Sequence, residues 1–506
     1  MKTQNKLMLM ATASLLVFGS AAQAQDAPAA DAPVETAETI SDADAQVEFL
    51  KAQVDALQAQ VEQLSARVGK AEPSWKGAPN WLDKDSGWSF KPKGVLQFDA
   101  GYVTLPRKLG GTYGVAGTSA GSGVNTNNLG WGMRARRLIF GAEGSIPGGF
   151  GYKFELELSQ AGVNYEDMVI SYQKTGSPWS ITVGHQYPLS SLELLTSNRF
   201  TSFMERAGMT DAFGYGRRLG VTVGYTSPSG ILGLAAGVYG EDVANTNVAR
   251  TGWQASARAY FSPKLGDTQL HLGAQFQHRV APRDAQNVRY RQRPYTQVTD
   301  QRFIDTGAFA ADGDDILGLE FAAIHGPLHV AAEGAHVWVR GYRSSEVFGI
   351  NNGAGTTNFT VNDPSFNSAY GEIGFFLTGE TRGYKGGKWD RTKVLKPFTD
   401  GGMGAFQING RIDYTNLNDR LASGATTLTG GSINYINGGR TIGYEASLIW
   451  LPIDYVKFML QYAHSDVHGG PSARAVSAIT ATGTPAPGYL HNYGVDAVTM
   501  RAQLDF

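Results

Sequence analysis

The side chains with the most chemistry to offer in this chain are arginines. From Gly94 onward there are 25 Arg and 9 Lys against 33 Asp and Glu, so the region is nearly neutral and any anion preference must come from local clustering. A guanidinium binds phosphate-like and carboxylate anions through two parallel hydrogen bonds, which makes clustered arginines an anion-handling device. Arg134, Arg136, Arg199, Arg206, Arg217, Arg218, Arg258 and Arg411 are the candidates for such a site, with Arg501 on the last segment. A second group, Arg279, Arg283, Arg289, Arg291 and Arg293, sits in or beside the stretch 281–314 and would concentrate anions if that stretch lay at an extracellular mouth. That stretch could equally bind lipopolysaccharide phosphates or be a solvated loop, and the arginines of the first group could instead brace a wall by pairing with Glu155, Glu157, Asp413 or Asp505.

The elements that must position these arginines are read from period-two alternation. Tyr152, Phe154, Leu156 and Leu158 interleave with Lys153, Glu155, Glu157 and Ser159, giving one greasy and one charged face. About sixteen such segments are present, near 94–104, 131–144, 151–160, 165–174, 179–187, 215–226, 231–240, 252–262, 268–280, 315–325, 327–339, 369–380, 402–415, 440–450, 455–466 and 491–506. Short and long links alternate between them, except that 381–401 is long where a short turn is due. Trp88, Trp131, Trp179, Tyr215, Trp253, Trp338 and Trp450 stand near segment ends, as in an interfacial girdle. A sandwich or propeller would also alternate. The near-ten-residue segments, the girdle and a secretion signal favour an all-β fold, a sixteen-stranded antiparallel transmembrane β-barrel of the outer membrane. An unpaired Arg at the middle of a lipid-facing wall costs about 2–4 kcal/mol, so the arginines are expected in the lumen.

Upstream, residues 1–24 carry Lys2 and Lys6, an apolar stretch Leu7 to Phe18 and Ala22-Gln23-Ala24, the order of a secretory signal peptide. Residues 25–40 form an acidic Ala/Pro-rich linker. In 41–70, Val47, Leu50, Val54, Leu57, Val61, Leu64 and Val68 step by three and four, which predicts a periplasmic coiled coil and hence self-association. A linker 71–92 leads to the barrel, 93–506. There is no Cys, which excludes a disulfide scaffold and thiolate metal sites.

Sixteen strands enclose a lumen too wide for side chains to fill, so the expected function is passive diffusion through a water channel. The loop 188–214 is the candidate constriction. Its Leu189, Leu192, Leu195, Phe200 and Phe203 are too apolar for a solvated loop and fall at roughly helical spacing. An enzyme is the alternative from another class. The nine His are scattered without a nucleophile motif, although His464, Asp466 and His468 share a face and could form a dyad or a metal site. The Gly-rich stretch 110–123 lacks a P-loop Lys. No catalytic residue, metal site, cofactor or nucleic-acid partner is therefore predicted.

The runs Glu193-Leu194-Leu195-Thr196-Ser197, Phe203-Met204-Glu205-Arg206-Ala207 and Gly216-Arg217-Arg218-Leu219-Gly220, with Leu377-Thr378-Gly379-Glu380 and the terminal Phe506, resemble the phosphate-selective porin family O and P over roughly 90–506. The resemblance implies an outer-membrane homotrimer with an arginine ladder, a constriction from the third long loop, and small anions such as phosphate or polyphosphate as cargo. Lipid, lipopolysaccharide and the barrel assembly machinery are the implied partners, with Phe506 as assembly signal. Phosphate-specific members also place lysines at the constriction, whereas no Lys occurs between Lys174 and Lys264, which keeps a general or weakly anion-selective porin as the alternative.

Overall fold

The computed structural model describes residues 38–71, 74–83, 86–106, 129–159, 162–241, 252–282, 287–342, 349–351, 356–358, 363–419, 436–471, 478–479, 485–486 and 492–506. The signal peptide, most of the acidic linker and Arg283 lie outside them. The chain divides into two units, Met1–Lys70 and Ala71–Phe506.

The first unit is a helix, α1, Glu38–Ala71, whose seam residues Val47, Leu50, Val54, Leu57 and Val61 are each 49–60 % exposed in the single chain. It begins three residues before the expected boundary and so includes the end of the predicted linker.

The second unit is a closed antiparallel barrel. Its strands are β1 Ser89–Val103, β2 Gly130–Ile146, β3 Phe150–Glu157, β4 Asn164–Tyr172, β5 Trp179–Gln186, β6 Arg218–Thr226, β7 Leu232–Tyr239, β8 Trp253–Phe261, β9 Thr268–Val280, β10 Gly313–His325, β11 Leu328–Arg340, β12 Ser365–Phe376, β13 Ala405–Asp419, β14 Ile436–Ile453, β15 Val456–His468 and β16 Asn492–Asp505. Each pairs with its neighbour, and β16 closes the ring on β1 from Ala497↔Val103 to Asp505↔Val95. Phe506 adds two reciprocal backbone bonds to Gly94 at 3.1 Å. A Cβ on Gly94 would meet the Phe506 ring at 2.3 Å, so only glycine lets the closing residues approach. The expected linker 71–92 is more ordered than predicted. Ser74–Lys76 pairs with Ala78–Leu82, which in turn pairs with the start of β1.

Alternation sets the faces. Leu317, Leu319 and Phe321 on β10, or Phe458, Leu460 and Tyr462 on β15, are exposed, while the residues between them, such as Glu320 and Gln461, are buried. A soluble sheet protein would reverse this arrangement. Most of the aromatic end residues face outward, with Trp131 79 % exposed, but Tyr215 turns inward and packs beside Phe213 in the lumen.

Candidate functional site

Three segments enter the lumen. The first is the third loop, 187–217, with α2 Leu192–Leu195 and α3 Gly208–Ala212. Its apolar residues find the expected burial, since Leu192, Phe203 and Met209 are buried, while Leu189, Leu195 and Phe200 are half-buried. The wall holds it through donors and acceptors that no solvated loop would meet. Gly208 N–H donates to Asp413 at 2.6 Å, Met204 N–H to Gln461 at 2.8 Å, and Lys457 Nζ to the Arg199 carbonyl at 2.8 Å.

The second is the fifth loop, 281–312. Its basic cluster would have concentrated anions had the loop stood at the mouth; Arg283 lies outside the described residues, and the rest of the loop makes inward contacts. Gln461 donates to the Tyr295 carbonyl at 3.2 Å and Arg134 to the Gln297 carbonyl at 2.6 Å, so this loop crosses the lumen. Its cations are matched by acids, because a guanidinium drawn out of water needs a counter-charge. Arg279 pairs with Asp314 at 2.6 Å, Arg289 with Asp305 at 2.5 Å, and Arg293 with Asp300 at 3.4 Å and Asp211 at 3.6 Å. Arg291 is exposed.

The third is the sixth turn, 377–404, the link that broke the short-turn pattern. Its hairpin, Gly383–Lys385 paired with Lys388–Asp390, reverses at Gly386 and Gly387 with φ of +57° and +72°, which side chains resist. Arg258 donates to the Gly387 carbonyl at 2.8 Å, Trp389 N–H to Thr196 at 3.1 Å and Arg382 to the Phe200 carbonyl at 2.8 Å. The turn and the third loop thus meet inside the barrel.

These insertions divide the predicted arginines into two groups. Arg258 and Arg411 were expected at the constriction but lie in the packed part. Arg258 is bound to Glu320 at 2.6 Å, and Arg411 to Glu193 at 2.6 Å and Glu372 at 2.8 Å with Glu445 at 3.6 Å. Alternation placed them correctly in the lumen without showing that carboxylates on neighbouring strands and on the third loop would neutralise them. Arg136 grips Glu205 of the third loop at 2.7 Å, and Arg501 reaches the same carboxylate at 3.1 Å. Burial alone pushes the Glu205 carboxyl up, but Arg136, with Arg501 and Arg137 behind it, holds it well below the usual carboxylate range. Arg218 donates to the Gly240 carbonyl at 3.1 Å and stands 3.7 Å from Glu241.

The other group lines open space between the third loop, the sixth turn and the wall β1–β6. A cavity of about 660 Å³ there has ten Lys and Arg side chains on its lining, among them Lys93, Arg137, Lys153, Arg199, Arg206, Arg217, Lys385 and Lys388, against five Asp and Glu. Some are paired. Lys153 bonds Asp167 at 2.5 Å, Arg199 bonds Glu155 at 3.1 Å, and Arg217 bonds Asp167 at 2.6 Å, makes a shorter contact with Glu166, and stacks on Tyr187. Arg206 is held instead by carbonyls, Glu193 at 3.0 Å and Thr196 at 2.7 Å, which orient the guanidinium without cancelling its charge. The carboxylates facing Arg137 are at 3.5 Å (Glu166) and 3.8 Å (Glu157), beyond hydrogen-bond length.

A second cavity of about 200 Å³ runs on toward the fifth loop, lined by Arg136, Arg293 and Gln297 among others. The two share Arg137, Tyr187, Leu194 and Arg206, which therefore form the neck between them. Alternation alone missed Arg137. A bulge in the β1–β2 ladder sets Gln97 against Arg137 and Phe98 against Ala135, so Arg136 is the extra residue and both arginines turn inward. The lysines missing between 174 and 264 arrive from elsewhere, Lys93 from β1, Lys153 from β3, and Lys385 and Lys388 from the sixth turn, whose length was the available signal.

The family model described as phosphate-selective porin O and P matches residues 108–506. An uncharacterized protein of Caulobacter vibrioides is 36 % identical over 446 residues, covering 86 % of this chain and 77 % of that protein. Among solved structures, the outer membrane channel DcaP of Acinetobacter baumannii is 11 % identical with a TM-score of 0.44, over 84 % of this chain and 99 % of that one. An anion-selective porin from Comamonas acidovorans is 12 % identical with a TM-score of 0.43, over 83 % of this chain and 100 % of that one.

Proposed function

Because the chain belongs to the phosphate-selective porin O and P family, we propose that it is a passive outer-membrane channel for small anions, phosphate or polyphosphate foremost, with its selective point at the neck. The observation that carries this reading is the neck itself, where Arg206 is held by carbonyls with no carboxylate within hydrogen-bond distance among the described residues, and Arg137 has only the long ion pairs with Glu166 at 3.5 Å and Glu157 at 3.8 Å. A permeating phosphate would exchange water for two guanidinium forks there and then meet Lys385 and Lys388 in the larger cavity, where Lys93 is already paired with Glu143 at 2.6 Å. The lining cations outnumber the acids, which repels small cations while leaving the site wet enough for release.

A weakly selective porin for other small solutes is the second reading. It draws on the five acids of the larger cavity, one of which, Asp167, pairs with both Lys153 and Arg217. Inhibition of chloride current by added phosphate in planar bilayers separates the two. Strong block by low phosphate, weakened in Arg206→Ala, supports the phosphate channel; no block supports the general one.

The same reading includes a homotrimer tied by a periplasmic three-stranded coil of α1, a cleaved signal peptide, and Phe506 as the residue presented to the assembly machinery. The exposed seam of α1 supports the coil, since an isolated helix would leave that stripe in water. Deleting 41–70 is expected to loosen the oligomer on semi-native gels while the pore stays open.

A further inference from the structure

On β14, β15 and β16 the outward side chains line up in rungs, because the three strands pair in register. Toward the short turns the rung is aromatic: Trp450 pairs with Phe458, and the two rings stack 5.4 Å apart. Leu448, Leu460 and Met500 follow, each 42–50 % exposed, and then Tyr462 and Val498. Toward the long loops the last rung joins Arg440 to His468 and His468 to Asn492. From Phe458 to His468, at about 3.4 Å per residue and about 40° of tilt, the wall rises about 26 Å, against an apolar membrane band of about 25 Å. Arg440 and His468 therefore stand where acyl chains give way to headgroups.

Just below that last rung the wall is hollow. Gly494 adds no side chain to the rung it shares with Asp466 and Ile442, and a cavity of about 510 Å³ opens over it, bordered by Arg440, His464, His468 and Asp496. A Cβ at Gly494 would meet the His464 ring at 3.1 Å and crowd the space. The acids here already have partners. His464 Nδ1 bonds Asp496 at 2.7 Å, the Tyr462 hydroxyl donates to the same carboxylate at 2.8 Å, and His464 Nε2 stands 3.3 Å from Asp466. The His468 ring meets the Asn492 amide through Nδ1, which leaves Nε2 for a ligand. Arg440 is exposed and has no carboxylate or carbonyl partner among the described residues, whereas Arg340 on the same rim meets Asp315 at 3.0 Å. His464, Asp466 and His468 do not make a metal site, since no three His, Asp or Glu among the described residues are grouped to hold an ion.

We propose that this hollow binds the phosphate of an outer-leaflet lipid of the lipopolysaccharide class, with Arg440 and His468 on the phosphate and the acyl chains along Leu448, Leu460 and Met500. An outward guanidinium without a counter-charge at the membrane edge draws an anion, and its fork matches phosphate through two parallel hydrogen bonds. The apolar column directly below selects a lipid over a dissolved ion, because only a molecule with a charged head and greasy tails is matched at both levels. The site rests on the outer-membrane reading above. It lies outside the lumen and is independent of which solute the channel conducts.

Native mass spectrometry of the full-length protein in detergent, titrated with diphosphorylated lipid A, counts the lipid retained. The unaltered protein is expected to hold lipid, and Arg440→Ala to hold it about tenfold more weakly, the scale of one lost charge-assisted contact. Arg440→Lys should restore part of the binding, and lipid A stripped of its phosphates should bind as weakly to the unaltered protein as intact lipid does to Arg440→Ala. Equal retention by Arg440→Ala, or of the stripped lipid, overturns the proposal. Displacement of the lipid by inorganic phosphate overturns the choice of a lipid over the free ion. Loss of retention in Asp466→Asn but not in Arg440→Ala would put a cation in the hollow and overturns it as well. His468→Ala repeats the test should Arg440→Ala not fold. Conductance in planar bilayers is measured alongside: a conducting channel that retains no lipid overturns the site alone, and a protein that neither conducts nor retains lipid overturns the site and the channel together.

Discussion

The two sides of the lumen are built from the same residue types and end in opposite states. Toward β10–β16 the space is filled. Leu192, Met209 and Phe213 of the third loop and Tyr290, Tyr295 and Phe303 of the fifth pack against Ile316, Val337, Phe366 and Tyr370 of the wall, and Arg258 and Arg411 are tied to carboxylates. Toward β1–β6 the loops touch the wall through separate polar contacts such as Arg136–Glu205 and Arg199–Glu155, open space is left between them, and cations outnumber acids on the lining. Whether an arginine braces the interior or lines open space therefore follows from whether a loop packs down on that part of the wall, not from its residue type.

The largest effect that could break this contrast is expected at Arg411. Replacing it with Ala strands Glu193, Glu372 and Glu445 around an empty site, and loss of one partner of a buried ion cluster costs about 3–5 kcal/mol. Urea unfolding of the detergent-solubilised barrel should register that loss, together with a higher and noisier conductance as the third loop loosens. Unchanged stability would mean that the packed side is not packed by charge.

Much of this arrangement was legible in alternation and the rest was not, for identifiable reasons. Period two places Glu320, Arg411 and Arg501 in the lumen and Leu319 and Leu460 outside, and it yields all sixteen strands, because lipid and water on opposite faces impose the pattern on every strand. It cannot see a bulge, so Arg137 was lost beside Arg136. Nor can it say which lumen arginines meet a carboxylate, since Arg411 and Glu193 are 218 residues apart. The inward fifth loop was hidden for the same reason: its arginines look like a basic mouth until Asp211, Asp305 and Asp314 are found against them.

A smaller and more selective effect is expected at the neck. Arg206→Glu reverses one charge where a permeant ion passes, an interaction worth on the order of 1 kcal/mol in a partly screened site, or about a fivefold fall in anion over cation permeability. Arg258→Gln, on the packed side, should leave that ratio unchanged while weakening the hold on the sixth turn at Gly387. If both variants shift selectivity alike, the division of the lumen is wrong. The smallest effect belongs to Arg291→Ala, exposed and outside both cavities, which should alter the salt dependence of conductance slightly and the selectivity not at all.

The most direct test is the reversal potential of single channels of the unaltered protein across a KCl gradient. A sign corresponding to chloride preference, lost on reversing charge at Arg206 and Arg137 together, is what an arginine neck predicts. A potential of the opposite sign, showing potassium preference in the unaltered channel, would contradict it.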